Sequence, residues 1–195
     1  MDIFYSIDLA IFYLFNHTIS TGFFDKFFSL LTNVNNWYIT YIILLGLLFF
    51  KGGRVGKISV LGILILITIT DQTSHKILKE LFERARPCNV LSDVLTPLGC
   101  TGSYSFPSNH AVNNFAAAAF FTKLYPRYKS VLFITASLVA LSRVYLGLHY
   151  PSDIIAGAGI GFVFGYFGGL LLLKIDDMIN QKKVLKESSA NTPEH

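Results

Sequence analysis

Charge is scarce in this chain. Of 195 residues, 14% are Asp, Glu, Lys or Arg, against about 25% in an average soluble domain. So few charges, with 15% aromatic residues, exclude intrinsic disorder. Cysteine is scarcer still, and two in this length exclude a small disulfide scaffold. No block of basic residues exists either. The sixteen Lys and Arg against twelve Asp and Glu give +4, but they are scattered in short groups between apolar runs. A nucleic-acid binder gathers such charges on one face or helix, so no nucleic-acid partner is expected. No basic residue precedes the first apolar stretch, so a cleaved signal peptide is not expected. What is abundant is apolar surface: 52% of the residues are hydrophobic and the mean hydropathy is +0.51. An integral membrane protein follows.

Crossing the hydrocarbon layer takes about 20 mostly apolar residues. Five stretches qualify: Trp37 to Phe50, Ile58 to Thr70 continuing toward Lys79, His110 to Leu124, Ser130 to Leu148, and Ile154 to Leu173. Before residue 37, Phe4, Leu9, Phe12, Phe23, Phe24, Phe27 and Phe28 are interrupted by Asp2, Asp8, His17, Asp25 and Lys26. That pattern reads as two interfacial amphipathic helices, with a sixth span as the alternative. The expected fold is an all-α polytopic membrane helix bundle of five to six transmembrane helices with N-terminal interfacial helices. Residues 1–36 form the interfacial segment, 37–174 the membrane core, and 175–195 a cytoplasmic polar tail that frays from Lys182. Within the core, 87–108 is rich in Pro, Gly, Ser, Thr and Asn and reads as one long ordered loop.

Five antiparallel spans sort the loops onto two sides. Lys51, Arg54, Lys57, Lys123, Arg127, Lys129, Lys174, Lys182, Lys183 and Lys186 share one side. These are ten of the sixteen basic residues, and the positive-inside rule makes that side cytoplasmic. The long loop then faces outward. Gly157, Gly161, Gly165 and Gly169 make a stripe along the last span that admits another helix closely. Packing inside one bundle, hence a monomer, is the preferred reading; a dimer through the stripe is the alternative.

Six basic residues remain outside: Lys26, Lys76, Lys79, Arg84, Arg86 and Arg143. Lys79 and Arg86 lie seven apart and share one helical face. Arg84 follows Glu80 by four, the favourable order for a surface ion pair, and reads as structural. Arg143 lies inside the fourth span, where an unpaired arginine is expensive. A salt bridge to Asp71 or Asp153 is its bland explanation. His110 opens the third span, His149 follows the fourth, and Asp153 comes four residues after His149. Pro151 favours a helix start between them, which lets the Asp153 carboxylate turn to the imidazole and fix its tautomer. Arginine forks and a lysine suit phosphate oxygens, and two histidines supply a nucleophile and an acid. Metal binding is the weaker reading, because no third His or Cys sits at ligand spacing.

These residues fall into three blocks. They are Lys79 to Arg86-Pro87 (KELFERARP), Pro107-Ser108-Asn109-His110, and Ser142-Arg143 with His149 and Asp153 (SRVYLGLHYPSD). The set resembles the three-part signature of the type 2 phosphatidic acid phosphatase superfamily, in order and over residues 79 to 153. The flanking spans resemble its membrane branch rather than the bacterial acid phosphatases or vanadium haloperoxidases. The resemblance implies that His149 attacks phosphorus and becomes a phosphohistidine. It implies that Asp153 orients and charges His149, and that His110 protonates the leaving oxygen. Lys79, Arg86, Arg143, Ser108 and the Asn109 amide would hold the phosphoryl oxygens, without a metal or other cofactor. Asn109 stands where the family carries glycine; its N–H is retained and its side chain bears on substrate choice. Ser142 reads as a local packing residue.

Cys88 and Cys100 fall in the outer loop. Outside the cytoplasm disulfides persist, and this pair would close a 13-residue loop worth roughly 3 kcal/mol; two free thiols are the alternative. The expected protein is a lipid phosphatase of a bacterial inner membrane, active on the outer face with its C-terminus in the cytoplasm. Its partners are membrane lipids and a lipid phosphate: undecaprenyl diphosphate, lipid A 1-phosphate, phosphatidylglycerol phosphate or phosphatidic acid. A lipid-linked phosphotransferase using the same histidine is the nearest rival. A transporter is more distant, because no inverted repeat is visible.

Overall fold

A computed structural model describes residues 3–190, and within them every regular element is helical. Two 11-residue helices come first, α1 (Ile3–Tyr13) and α2 (Gly22–Thr32), joined through a π-helical turn, Leu14–Thr18. At 1.5 Å per residue each is about 16 Å long, too short to cross a bilayer alone. They are docked by polar contacts rather than left free. Asn16 is buried, donating to the Leu95 and Tyr145 carbonyls at 2.8 Å and accepting from Leu95 N at 3.0 Å. Tyr145 donates to Asp25 at 2.6 Å and packs on Phe28.

A pair of antiparallel apolar helices follows, α3 (Tyr38–Lys51) and α4 (Gly53–Gln72), turning at Gly52-Gly53. From α4 the chain runs on through a π-helical stretch, Thr73–Leu78, into the short α5 (Lys79–Phe82). There Glu83 takes the left-handed conformation (φ 44°) and ends the helix. After α6 (Pro87–Val90) comes the loop, then α7 (Asn109–Leu124), α8 (Lys129–Tyr145) and α9 (Pro151–Ala190). Three helical stretches are long and apolar enough to cross a membrane: Val34–Lys51, Gly53–Val90 and Pro151–Leu185. Helices α7 and α8 stand where the third and fourth spans were expected, but at 16 and 17 residues they are shorter than these three stretches. The expected fraying from Lys182 does not occur over the described residues: α9 continues to Ala190. No Gly or Pro lies between Lys174 and Ala190, and Lys, Leu, Glu and Met favour the helix. Residues 191–195 lie outside the described part.

Helix α7 is central, packed by α4, α8 and α9, and its inward face is alanine-rich: Ala111, Ala116, Ala118 and Ala119 are buried. The glycine stripe is used here. A Cβ at Gly161 would lie 2.1 Å from the Val112 carbonyl oxygen, and one at Gly165 the same distance from that of Ala116. The seam between α7 and α9 is therefore backbone against backbone, and α7 covers the stripe. At its far end, Lys123 lies over the Tyr166 ring at 3.8 Å, and Arg54 pairs with Asp176 at 2.7 Å to tie α4 to α9.

The seam predicts a contrast between neighbouring glycines. Gly161→Val should destabilise the protein by more than the about 1–3 kcal/mol usual for overpacking, seen as a lowered Tm in detergent. Gly159→Ala, where nothing lies within 4 Å of the added carbon, should not destabilise and should gain up to about 1 kcal/mol from helix propensity. Equal effects would contradict the seam.

Candidate active site

The three sequence blocks meet at the end of the bundle where α7 and α9 begin. Asp153, 0% exposed, is bonded on both carboxylate oxygens. Its Oδ2 accepts from Ser105 Oγ at 2.5 Å and from Tyr150 N at 2.8 Å, and Oδ1 accepts from Arg84 Nη1 at 2.6 Å. His149 Nδ1 stands 3.5 Å from Oδ2 and 3.4 Å from Ser105 Oγ. On the other side of the ring, Arg86 Nη1 approaches Nε2 at 3.0 Å. A guanidinium can only donate, so Nε2 holds a lone pair and the ring proton sits on Nδ1, facing Asp153. That is the tautomer of an Nε2 nucleophile. Burial, with 2% of His149 exposed, and the nearby Arg86 charge lower the imidazole to about 3, against the opposing pull of Asp153.

Arg86 is held by the backbone. It donates to the Ser103 carbonyl (2.7 Å), the Leu148 carbonyl (2.9 Å), Ser103 Oγ (3.0 Å) and the Tyr104 carbonyl (3.3 Å). Lys79, 3% exposed, donates to the Tyr104 carbonyl and lies within electrostatic reach of Arg86, Arg143 and Asp153. Arg143, 8% exposed, gives Nη1 to Thr32 Oγ1 at 2.9 Å, while its buried Nε has no partner. The bland salt bridge from Arg143 to Asp71 or Asp153 is absent among the described residues. Asp153 is taken by Arg84, and Asp71 accepts from Asn109 and Asn113 at 3.1 and 3.2 Å. No carboxylate pairs with Lys79, Arg86 or Arg143 among the described residues.

His110 and Arg143 share a cavity of about 320 Å³, walled by Thr32, Asn33 and Val34 on one side and by Leu98, Gly99 and Thr101 on the other. His110 Nε2 faces the Thr32 carbonyl at 3.3 Å. A carbonyl can only accept, so Nε2 carries hydrogen and Nδ1 is the nitrogen free to exchange a proton. Ser108 donates its N–H to the Asp153 carbonyl at 3.2 Å, and its buried Oγ has no partner. The Asn109 side chain turns to α4 and its extension: Oδ1 accepts from Ser74 Oγ at 2.7 Å and Nδ2 donates to Asp71. Ser142 back-bonds to the Val139 carbonyl at 2.6 Å, a local role. Cys88 and Cys100 are joined with Cα atoms 6.0 Å apart, and Gly99 and Thr101 beside that bond line the cavity. The loop lies close over Gly147 (φ 75°), where a Cβ would come 2.7 Å from the Leu95 carbonyl oxygen.

Arg84 corrects the sequence reading. It makes no surface pair with Glu80, because the left-handed Glu83 breaks the helix before the i+4 relation can form. Arg84 instead joins Asp153 and Asp8. Thr32, Ser105 and Asp8 were not foreseen. Only the position of Ser105, two residues before the Pro107-Ser108-Asn109-His110 block, gave any signal.

The site is thus a cluster of buried, unneutralised cations beside a neutral histidine at one end of a helical bundle. The chain belongs to the PAP2 superfamily, whose profile matches residues 60–174. It is 34% identical over 166 residues to the lipid A 4'-phosphatase of Bacteroides thetaiotaomicron, covering 81% of this chain and 72% of that protein. It is 32% identical over 150 residues to the lipid A 4'-phosphatase of Porphyromonas gingivalis, covering 73% of this chain and 64% of that one. Among solved structures, Aquifex aeolicus LpxE superposes with a TM-score of 0.70 at 27% identity, covering 83% of this chain and 94% of its own. The PAP2-type phosphatidylglycerolphosphate phosphatase of Bacillus subtilis gives 0.65 at 26% identity, covering 92% and 89%.

An unfolded chain protonates His149 below its ordinary 6.5, whereas the folded chain does not until about 3. Stability is therefore complete above 6.5 and falls as pH drops toward 3, by up to about 1.4 kcal/mol per pH unit. In melting curves at pH 4–7, His149→Gln should flatten this slope. Thr32→Val should leave the Arg143 guanidinium without its hydroxyl acceptor and lower stability by about 1–3 kcal/mol. Thr32→Ser should not, and added inorganic phosphate should recover part of the loss; a Thr32→Val melting point equal to wild type would rule this out.

Proposed function

We propose that this protein hydrolyses the phosphate headgroup of an envelope lipid through a phosphohistidine on His149. Arg143 carries the reading: a buried guanidinium beside His110, with no carboxylate and an unpartnered Nε, is a seat for an external anion. The phosphoryl oxygens bind Lys79, Arg86, Arg143, the Ser108 hydroxyl and the Asn109 amide. Arg86 turns Nη1 from Nε2 to a phosphoryl oxygen, and the freed lone pair attacks phosphorus. The bond to the leaving oxygen breaks, and His110, which enters the step doubly protonated, gives that oxygen its Nδ1 proton while Nε2–H stays on the Thr32 carbonyl. Asp153 holds the Nδ1 proton and balances the charge gained by the ring. Water then attacks the phosphohistidine, His110 takes its proton, and inorganic phosphate leaves. Catalysis rests on positioning and charge.

The relatives named as lipid A 4'-phosphatases favour a phosphorylated lipid A among the candidate substrates, with phosphatidylglycerol phosphate, phosphatidic acid and undecaprenyl diphosphate as the others. We assign the site to the outer face of a bacterial inner membrane. The ten basic residues and the C-terminus are then cytoplasmic, residues 1–36 interfacial, 37–174 the five-span core and 175–195 the cytoplasmic extension. The working unit is a monomer, because the glycine stripe is occupied within the chain.

The decisive experiment measures inorganic phosphate released from each of the four lipids, supplied singly in detergent. One lipid should be strongly preferred, with EDTA without effect and vanadate inhibitory. His149→Ala should lose at least about 10³-fold in kcat. Full activity in His149→Ala would refute the mechanism. Phosphate that appears on a second lipid rather than in solution would make the protein a phosphotransferase.

A further inference from the structure

Asp8 lies on α1, far outside the matched residues 60–174, yet it is only 6% exposed. A buried carboxylate needs donors, and three reach it. Arg84 Nη2 donates to Oδ2 at 2.6 Å, Ser152 N to Oδ1 at 2.8 Å, and Ser152 Oγ to Oδ2 at 2.5 Å. Arg84 Nη1 meanwhile donates to Asp153 Oδ1 at 2.6 Å and to Ser152 Oγ at 2.7 Å. Its guanidinium also lies over the Tyr150 ring at 4.1 Å. One guanidinium is thus divided between two carboxylates, one from α1 and one from α9. The second of these faces His149 Nδ1.

That division has a chemical consequence. When His149 takes a phosphoryl group at Nε2, its ring becomes electron-poor and the Nδ1 proton more acidic. Asp153 steadies the ring to the extent that its own charge is not already cancelled. Ser105 and Tyr150 N already draw on that charge; an undivided Arg84 would draw much more. Asp8 takes one edge of Arg84 and so leaves Asp153 with charge to offer. It also anchors the first turn of α9, through Ser152, at the register where Oδ2 meets the imidazole.

We propose that Asp8 and Arg84 are positioning residues for the reaction, forming a chain Asp8–Arg84–Asp153–His149 that sets the orientation and effective charge of Asp153. This rests on the phosphohistidine reading above. The test is steady-state kinetics on phosphatidic acid in detergent micelles, or on whichever of the four lipids turns over fastest, with inorganic phosphate as competitive inhibitor. In Asp8→Asn, kcat should fall about tenfold, the scale seen when a group supporting a catalytic ligand is lost. KM and the inhibition constant of phosphate should stay within about twofold, because the anion seat is untouched. Asp8→Glu should restore a large part of kcat. Arg84→Lys, a point donor that cannot bridge both carboxylates, should show the same kcat-specific loss, and the double variant should be no slower than the worse single one. Wild-type kcat in folded Asp8→Asn overturns the proposal. So does a kcat loss that only tracks the fraction folded, or a rise in KM at constant kcat. If Asp8→Asn does not fold, the Arg84→Lys split decides alone. A dead His149→Ala beside an unimpaired Asp8→Asn refutes this chain and spares the mechanism; an active His149→Ala refutes the mechanism itself.

Discussion

The placement of one carboxylate organises the site. Asp153 has no exposed surface and accepts from a serine hydroxyl, a backbone amide and an arginine, with the imidazole of His149 at its open edge. Each donor comes from a different part of the chain. Ser105 comes from the loop, Arg84 from the turn after α5, Tyr150 from the link into α9. Losing the charge of Asp153 would leave these buried donors facing a neutral group, and breaking such a network is far more costly than never forming it. Burial holds His149 neutral, and Arg86 across the ring settles which nitrogen carries the lone pair.

The cations around this centre are solvated by peptide carbonyls. Lys79 uses that of Tyr104, and Arg86 uses those of Ser103, Tyr104 and Leu148. Carbonyl dipoles satisfy the N–H groups without cancelling the net positive charge, whereas carboxylates would have done both. The region therefore keeps a positive potential at a low dielectric, where charge acts over longer distances than in water. Asp71 lies within electrostatic reach of Lys79, yet its polar contacts are to two asparagines on α7.

Much of this was legible in the sequence because helices convert spacing into direction. The four-residue step from His149 to Asp153 brings the two side chains together across the start of α9. The shared helical face expected for Lys79 and Arg86 does not form: the helix ends at Phe82, Glu83 turns left-handed, and the two cations meet because both donate to the Tyr104 carbonyl. The polar composition of 87–108 marked the loop, and the apolar runs marked the bundle. What could not be read were partners far apart in the chain. Thr32 meets Arg143, Asp8 meets Arg84, and Asn16 meets Tyr145, and nothing local in α1 or α2 announces them. Arg84 misled because an i+4 acid suggested a surface pair, while a single left-handed residue at Glu83 redirected it inward. Asn109 was read by its position in a motif; its side chain answers instead to Ser74 and Asp71 on the neighbouring helix.

The seam between α7 and α9 has a mechanical meaning. With Gly161 and Gly165 set against the Val112 and Ala116 carbonyls, the two helices have almost no side-chain layer to compress between them, and they move as one stiff beam. That beam carries His110 at the head of one member and Asp153 at the head of the other. Their separation is thus gauged by peptide units along the helix shafts, not by the loop above. A displacement of that loop would leave the spacing of His110 and Asp153 unaltered.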